Sequence, residues 1–153
     1  MLWYIIDGWN VVHSIPSVKS SPLPIRDLIF FIRRFKLTGS NNNRVTIVFD
    51  GYFDMPNMAG IDKGFEVIFS GDKSADEVIK EKVRRYKKKY QIVMVSNDNQ
   101  IIDYVKLQGV RILRVNDFLN KVKKKKTKDS PTGKYITYKE EEEINSELRK
   151  IWL

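Results

Sequence analysis

Leu2-Trp3-Tyr4-Ile5-Ile6-Asp7-Gly8 is the stretch that decides the fold. Five apolar residues run without a polar interruption, so neither face of the strand they form is built to meet water. That is the pattern of a strand inside a parallel sheet covered on both sides. An aspartate and a glycine end it. The same order recurs at Val45-Thr-Ile-Val-Phe49, closed by Asp50-Gly51, and at Ile92-Val-Met-Val95, followed by Ser96-Asn-Asp-Asn99. Phe65-Glu-Val-Ile-Phe69 is a third strand in chain order, and Glu66 in its run places it near a sheet edge. Val110-Arg-Ile-Leu-Arg-Val115 is a fifth.

Helical patterns alternate with these strands. Ile25, Leu28, Ile29, Ile32 and Phe35 repeat at helical spacing after Pro22 and Pro24, and Gly39-Ser-Asn-Asn-Asn43 closes that segment. Ser74-Ala-Asp-Glu77 opens a helix whose buried stripe is expected to be Ile79, Val83, Tyr86 and Tyr90. Its other faces are strongly basic: Lys80, Lys82, Arg84, Arg85, Lys87, Lys88 and Lys89. A further helix is expected from Asn99 to Gln108 with Gly109 at its end, and another from an Asn116 cap to about Lys126. The stretch from Tyr52 to Gly64 lacks a period and reads as a long loop. Alternating strands and helices mean βαβ units, an α/β fold with a mainly parallel central sheet. Residues 1–120 are expected to form the domain, and 121–153 a basic linker and C-terminal helix packed on it. In that tail Lys121 to Lys128 holds six lysines in eight positions, and Ile144, Leu148, Ile151 and Trp152 return to helical spacing.

A chain of 153 residues that is 42% hydrophobic can bury a core of its own. Its net charge of +9 and pI near 9.6 point to a polyanionic partner, because neutralising phosphates releases condensed counterions. With no cysteine, disulfides, thiolate metal sites and cysteine nucleophiles are excluded together. The apolar start is too short for a signal h-region, and no run approaches a membrane span. The expected location is the cytoplasm.

The chemistry lies in the acids at the strand ends. Asp7, Asp50 and Asp98 follow three strands that, if parallel, end on one side, where open α/β sheets bind ligands. Asp76 joins them from the first turn of the basic helix. Each has a plainer use: Asp50-Gly51 as a turn, Asp98 as a helix cap, Asp76 as an acid favoured by the helix dipole, and Glu77 as the partner of Ser74 in a capping box. Converging carboxylates repel unless a cation lies among them. Hard oxygen ligands with no cysteine and a single histidine point to Mg²⁺ or Mn²⁺ rather than zinc. Such a metal can activate water for phosphodiester hydrolysis, while lysines hold the flanking phosphates. Candidate RNA contacts are Lys80, Arg84, Arg85, Lys87, Lys88, Lys124 and Lys125. Trp9, Tyr52 and Phe53, close behind two of the aspartates, are candidates for base stacking or for the core. His13 is not expected to act as a general base, and no glycine-rich phosphate loop is present.

Asp7-Gly-Trp-Asn10 resembles the opening D-G-[YW]-N motif of the NYN domain, a branch of the PIN-like nucleases. Val48-Phe-Asp-Gly51, Val67-Ile-Phe-Ser70, Ser74-Ala-Asp-Glu77 and Val95-Ser-Asn-Asp98 continue the likeness in order, and Ser130-Pro-Thr-Gly-Lys134 extends it to the tail. The set is similar to the YacP-like subgroup. The resemblance implies a three-layer α/β/α sandwich and a metal-dependent endoribonuclease associated with ribosome-linked mRNA cleavage. It implies Asp7, Asp76 and Asp98 as metal-binding acids, Asn10 as the residue orienting a ligand or metal-bound water, and Asp50 as a fourth acid. One departure stands out. Relatives usually carry T-S-D and then a Glu-Gln pair a few residues on, whereas this chain has Ser96-Asn-Asp98 and Asn99-Gln-Ile-Ile, so the helix lacks the family's extra acid unless Asp103 replaces it.

Two rival readings differ in class. A non-catalytic RNA- or ribosome-binding module would carry the same acids as a vestige. A phosphotransfer domain would need an Asp-x-Asp pair after the first strand, and Gly8-Trp9 follows Asp7 instead.

Overall fold

The structure, a computed structural model, describes residues 1–52 and 64–122. Five strands form one sheet: β1 (Trp3–Asp7), β2 (Arg44–Phe49), β3 (Phe65–Phe69), β4 (Ile92–Val95) and β5 (Arg111–Leu113). Their order is β3-β2-β1-β4-β5, and every pairing is parallel. The expected α/β class is therefore observed, with β3 at an edge as Glu66 suggested.

The unbroken apolar run of β1 has a direct cause. Trp3 and Ile5 face one core with Val48, Ile79, Val83, Ile92, Met94 and Val105. Tyr4 and Ile6 face the other, with Val11, Ile15, Leu28, Ile32, Phe49 and Phe118. Side chains alternate across a strand, so a central strand covered on both sides has no position left for a polar residue. Helices α4 (Ala75–Arg85) and α5 (Asn99–Lys106) cover the first face. Helices α1 (Gly8–His13), α2 (Pro16–Lys19), α3 (Pro24–Arg34) and α6 (Val115–Leu119) cover the second. The result is a three-layer sandwich.

Several local readings need correction. Helices α1 and α2 occupy a stretch for which no helix was expected; both lack a side-chain cap, and Pro16 at the start of α2 separates them. Helix α4 ends at Arg85, and the extended ψ of 128° at Tyr86 turns the chain away. Tyr90 therefore leaves the helical stripe and is 63% exposed. Lys87, Lys88 and Lys89 lie beyond the helix, and Lys89 Nζ donates to the carbonyls of Arg84 and Tyr86. Strand β5 is only three residues long. Asn116 lies inside α6 rather than capping it; the Val115 amide donates instead to Asn97 Oδ1 at 3.1 Å, a cap supplied from the end of β4.

Lys121, the first residue of the expected basic linker, is anchored in the fold. Its Nζ donates to Tyr4 Oη and to the Leu37 carbonyl, each at 3.1 Å, and Val122 is buried in the second core. Lys124, Lys125, the terminal apolar repeat, Phe53 and most of the expected long loop lie outside the described residues.

Helix α5 closes as expected at Gly109, whose φ is +88°. The Gly109 amide donates to the Lys106 carbonyl and the Val110 amide to the Val105 carbonyl, the two bonds of a Schellman turn. A Cβ there would meet nothing within 4 Å, so only the backbone conformation opposes a side chain. Gly109→Ala is expected to cost about 1 kcal/mol, read as a lower urea midpoint with unchanged slope.

Candidate active site

The strand order creates a switch point. From β1 the chain steps outward to β2 and β3, then returns to β4 on the other side of β1. Connections leaving β1 and β4 depart to opposite faces of the sheet and open a crevice between them. Asp7 ends β1 at that crevice and is 7% exposed. Ser96, fully buried just past β4, donates its hydroxyl to Asp7 Oδ2 at 3.1 Å and accepts the Asp98 amide at 3.0 Å. One buried hydroxyl thus ties together acids 91 residues apart in sequence.

Asp98 caps α5, its Oδ1 accepting the Gln100 amide at 2.9 Å. Asn10 bridges the same gap from α1, its Oδ1 accepting the Asn97 amide at 3.1 Å. That bond orients the Asn10 amide, whose NH₂ end offers a ligand two donors.

Asp50 and Asp76 come from the β2–β3 side. Asp50 Oδ1 accepts the Ala75 amide at 3.0 Å and the Ser70 hydroxyl at 3.4 Å. Ser70 Oγ in turn accepts the Gly51 amide at 2.9 Å. Asp50 therefore clamps the first turn of α4, the turn that carries Asp76. Ser74 caps that helix as expected, accepting the Glu77 amide at 3.1 Å. Asp76 Oδ2 pairs with Lys80 Nζ at 3.1 Å, and its Oδ1 is buried with no hydrogen-bond partner.

The four aspartates form one electrostatic unit. Burial pushes the Asp7 carboxyl up from 3.8 to about 6, the Ser96 hydrogen bond opposes this, and the charges of Asp98, Asp50 and Asp76 each add to the rise. Repulsion among carboxylates around a desolvated one is what a cation relieves. Among the described residues no three acidic side chains close a coordination shell on their own.

Of the remaining expected site residues, Arg84, Lys87 and Lys88 are exposed. Arg85 pairs with Glu81 at 2.7 Å. Trp9 is a structural aromatic: it meets Phe49 edge-on at 5.0 Å and donates its indole N–H to the Asp50 carbonyl. His13 is exposed and lies against the Trp9 ring, outside the hydrogen bonds that join the acids. Tyr52 is 71% exposed just past Asp50-Gly51. Ser96, Ser70 and Asn97 are the residues that sequence reasoning did not single out. The signal for Ser96 was a hydroxyl set between a wholly apolar strand and an acid.

Comparison with known proteins agrees with this fold. No curated protein sequence matches the chain. A crystal structure of Rae1 (YacP) from Bacillus subtilis is similar with a TM-score of 0.65, covering 98% of this chain and 95% of that one at 21% identity. A mutant of that protein gives 0.61 over 99% and 92%, at 18% identity; at such identities the likeness is one of fold. The family model described as the YacP-like NYN domain matches residues 4–152.

Proposed function

The chain belongs to the YacP-like NYN domain family, and on that premise we propose that it is a metal-dependent endoribonuclease hydrolysing RNA phosphodiester bonds. The observation that carries this reading is the gathering of Asp50, Asp76 and Asp98 around the buried Asp7 carboxylate at the switch point of the sheet. Asp7, Asp76 and Asp98 are the residues that would hold Mg²⁺ or Mn²⁺. The donors fit such a hard cation: all are carboxylate oxygens, and Asp76 Oδ1 is buried and unpartnered. Bound there, the ion would supply Lewis-acid activation of water and charge neutralisation at the scissile phosphate.

The chain's own residues supply the positioning. Ser96 fixes the Asp7 carboxylate and, through the Asp98 amide, the start of α5. Asp50 fixes α4 and so Asp76. Asn10, anchored through its carbonyl oxygen, presents an amide donor to a phosphate oxygen or to the attacking water. Arg84, Lys87 and Lys88 neutralise phosphates flanking the cut, and Lys124 and Lys125 of the basic tail extend that role. A net charge of +9 suits a substrate bound within a larger RNA assembly; mRNA on the ribosome, in the cytoplasm, is the form we infer. Residues 121–153 would serve as a basic extension of the one nuclease domain.

The deciding experiment is cleavage of labelled RNAs by purified protein in Mn²⁺, Mg²⁺ or EDTA, with Asp7→Asn alongside. Metal-dependent cuts that the variant does not make are expected. RNA binding without cuts, even with translating ribosomes, would replace this reading with a binding module. That rival draws on the absence of a closed acidic shell among the described residues and on Asn99-Gln100 where the family resemblance leads one to expect an acid.

Asp76→Asn and Asp98→Asn are each expected to lower cleavage at least ~100-fold, as for lost metal ligands. Asparagine caps helices as well as aspartate does, so the thermal midpoint of Asp98→Asn should stay near wild type. Undiminished rates in both variants would remove these acids from the site.

A further inference from the structure

Lys80 lies one helical turn beyond Asp76 on α4, with its Nζ 3.1 Å from Asp76 Oδ2 and the two side chains 30% and 28% exposed. The ammonium also lies 5.2 Å from the Tyr104 ring of α5. It is thus held between the two helices that carry Asp76 and Asp98 at their starts. Neighbouring cations of α4 are engaged elsewhere: Lys82 with Glu66 and Arg85 with Glu81.

We propose that Lys80 is a tethered counter-ion, which neutralises Asp76 until a divalent cation takes its place and then transfers its ammonium to a phosphate oxygen of the RNA. The inference rests on Asp76 being a metal ligand, as in the function proposed above. An ammonium 3.1 Å from a carboxylate oxygen and a divalent ion on the same carboxylate are like charges a few ångströms apart, so each weakens the other. A lysine on its four-carbon stem can resolve the conflict by rotating away, which a rigid guanidinium fork does less readily. The phosphate that arrives with the substrate offers the displaced ammonium a new partner. Metal and RNA would then bind with positive coupling, each easing the entry of the other.

Mn²⁺ titration without RNA, on the full chain, tests this. Lys80→Met keeps the apolar stem against Tyr104 while deleting the charge, and Lys80→Gln serves as a second variant should the first fail to fold. The expected result is Mn²⁺ affinity raised about tenfold in the variants. Cleavage at saturating Mn²⁺ should fall about tenfold. A merely structural lysine would not tighten metal binding when removed. Equal or weaker affinity in both variants, or no Mn²⁺ bound by any of the proteins, would overturn the proposal. Tighter metal binding with undiminished cleavage would overturn the transfer to phosphate. Tighter metal binding in proteins that never cleave RNA would uphold the counter-ion and remove the nuclease reading instead.

Discussion

Asp7→Asn is expected to lose RNA cleavage by at least ~1000-fold and, in the same molecule, to be more stable than wild type at pH 7. Both effects come from one burial. The loss of activity follows because Asp7 is the acid around which the others gather, and a neutral amide oxygen holds a divalent cation far more weakly than a carboxylate. The gain in stability follows from proton linkage. The folded-state pKa of about 6 lies above the reference value of 3.8. Below the lower value both states are protonated, and Asp7 carries no penalty. As pH rises from there to about 6, the unfolded chain gives up its proton while the folded one retains it, so stability is progressively lost. Above that window the full cost remains, on the order of 2–3 kcal/mol.

Asparagine does not titrate, and its carbonyl oxygen can still accept the Ser96 hydroxyl. Urea midpoints in EDTA should therefore separate above pH 6, with the variant higher, and converge toward pH 4. Parallel curves at every pH would show that Asp7 bears no burial cost. Mn²⁺ should narrow the gap by stabilising wild type more than the variant.

The second large effect is on the glycine beside it. A Cβ at Gly8 would lie 2.4 Å from Phe49 Cε1, 2.5 Å from Cδ1 and 2.8 Å from Cζ. Phe49 has no room to retreat: it is fully buried, its ring stacked on Phe69 at 5.7 Å and met edge-on by Trp9. Gly8→Ala is expected to destabilise by about 2–4 kcal/mol, at the upper end of overpacking costs. It should also lower cleavage, because the displaced backbone carries Asp7. Phe49→Leu in the same chain should recover part of the stability, a positive coupling in a double-mutant cycle. A Gly8→Ala protein as stable as wild type would contradict this account of the Asp7-Gly8 pair.

What could be read from sequence follows from which interactions are local. The run Leu2 to Ile6 exposes its double burial because alternation must vanish when both faces are covered. Strand ends at Asp7, Asp50 and Asp98 mark one side of a parallel sheet without any knowledge of partners. Ser74 and Gly109 carry caps within a few residues, and both caps are observed. The misses share the opposite property. Helix α6 begins where Asn97, 18 residues back, accepts its first amide. Tyr90 continues the helical period on paper, but no glycine or proline announces the turn at Tyr86. Val11, Val12, Ile15 and Val18 do keep helical spacing, yet across two short pieces split by Pro16. Ser96 stood in view between an apolar strand and an acid, but its partner could not be read because the bond spans 89 residues to Asp7.

The central place of β1 has a consequence for the newly made protein. Its Trp3 pairs with Arg44 on one side and with Ile92 on the other. During synthesis the strand must wait for both neighbours, and the second arrives some 50 residues after the first. At roughly 5–20 residues per second that interval lasts several seconds. Until β4 has left the ribosome, Asp7 lacks Ser96 and Asp98 altogether. A nascent chain therefore carries its first acid long before it has a site, and the cleavage proposed for it could not begin until most of its own translation is over.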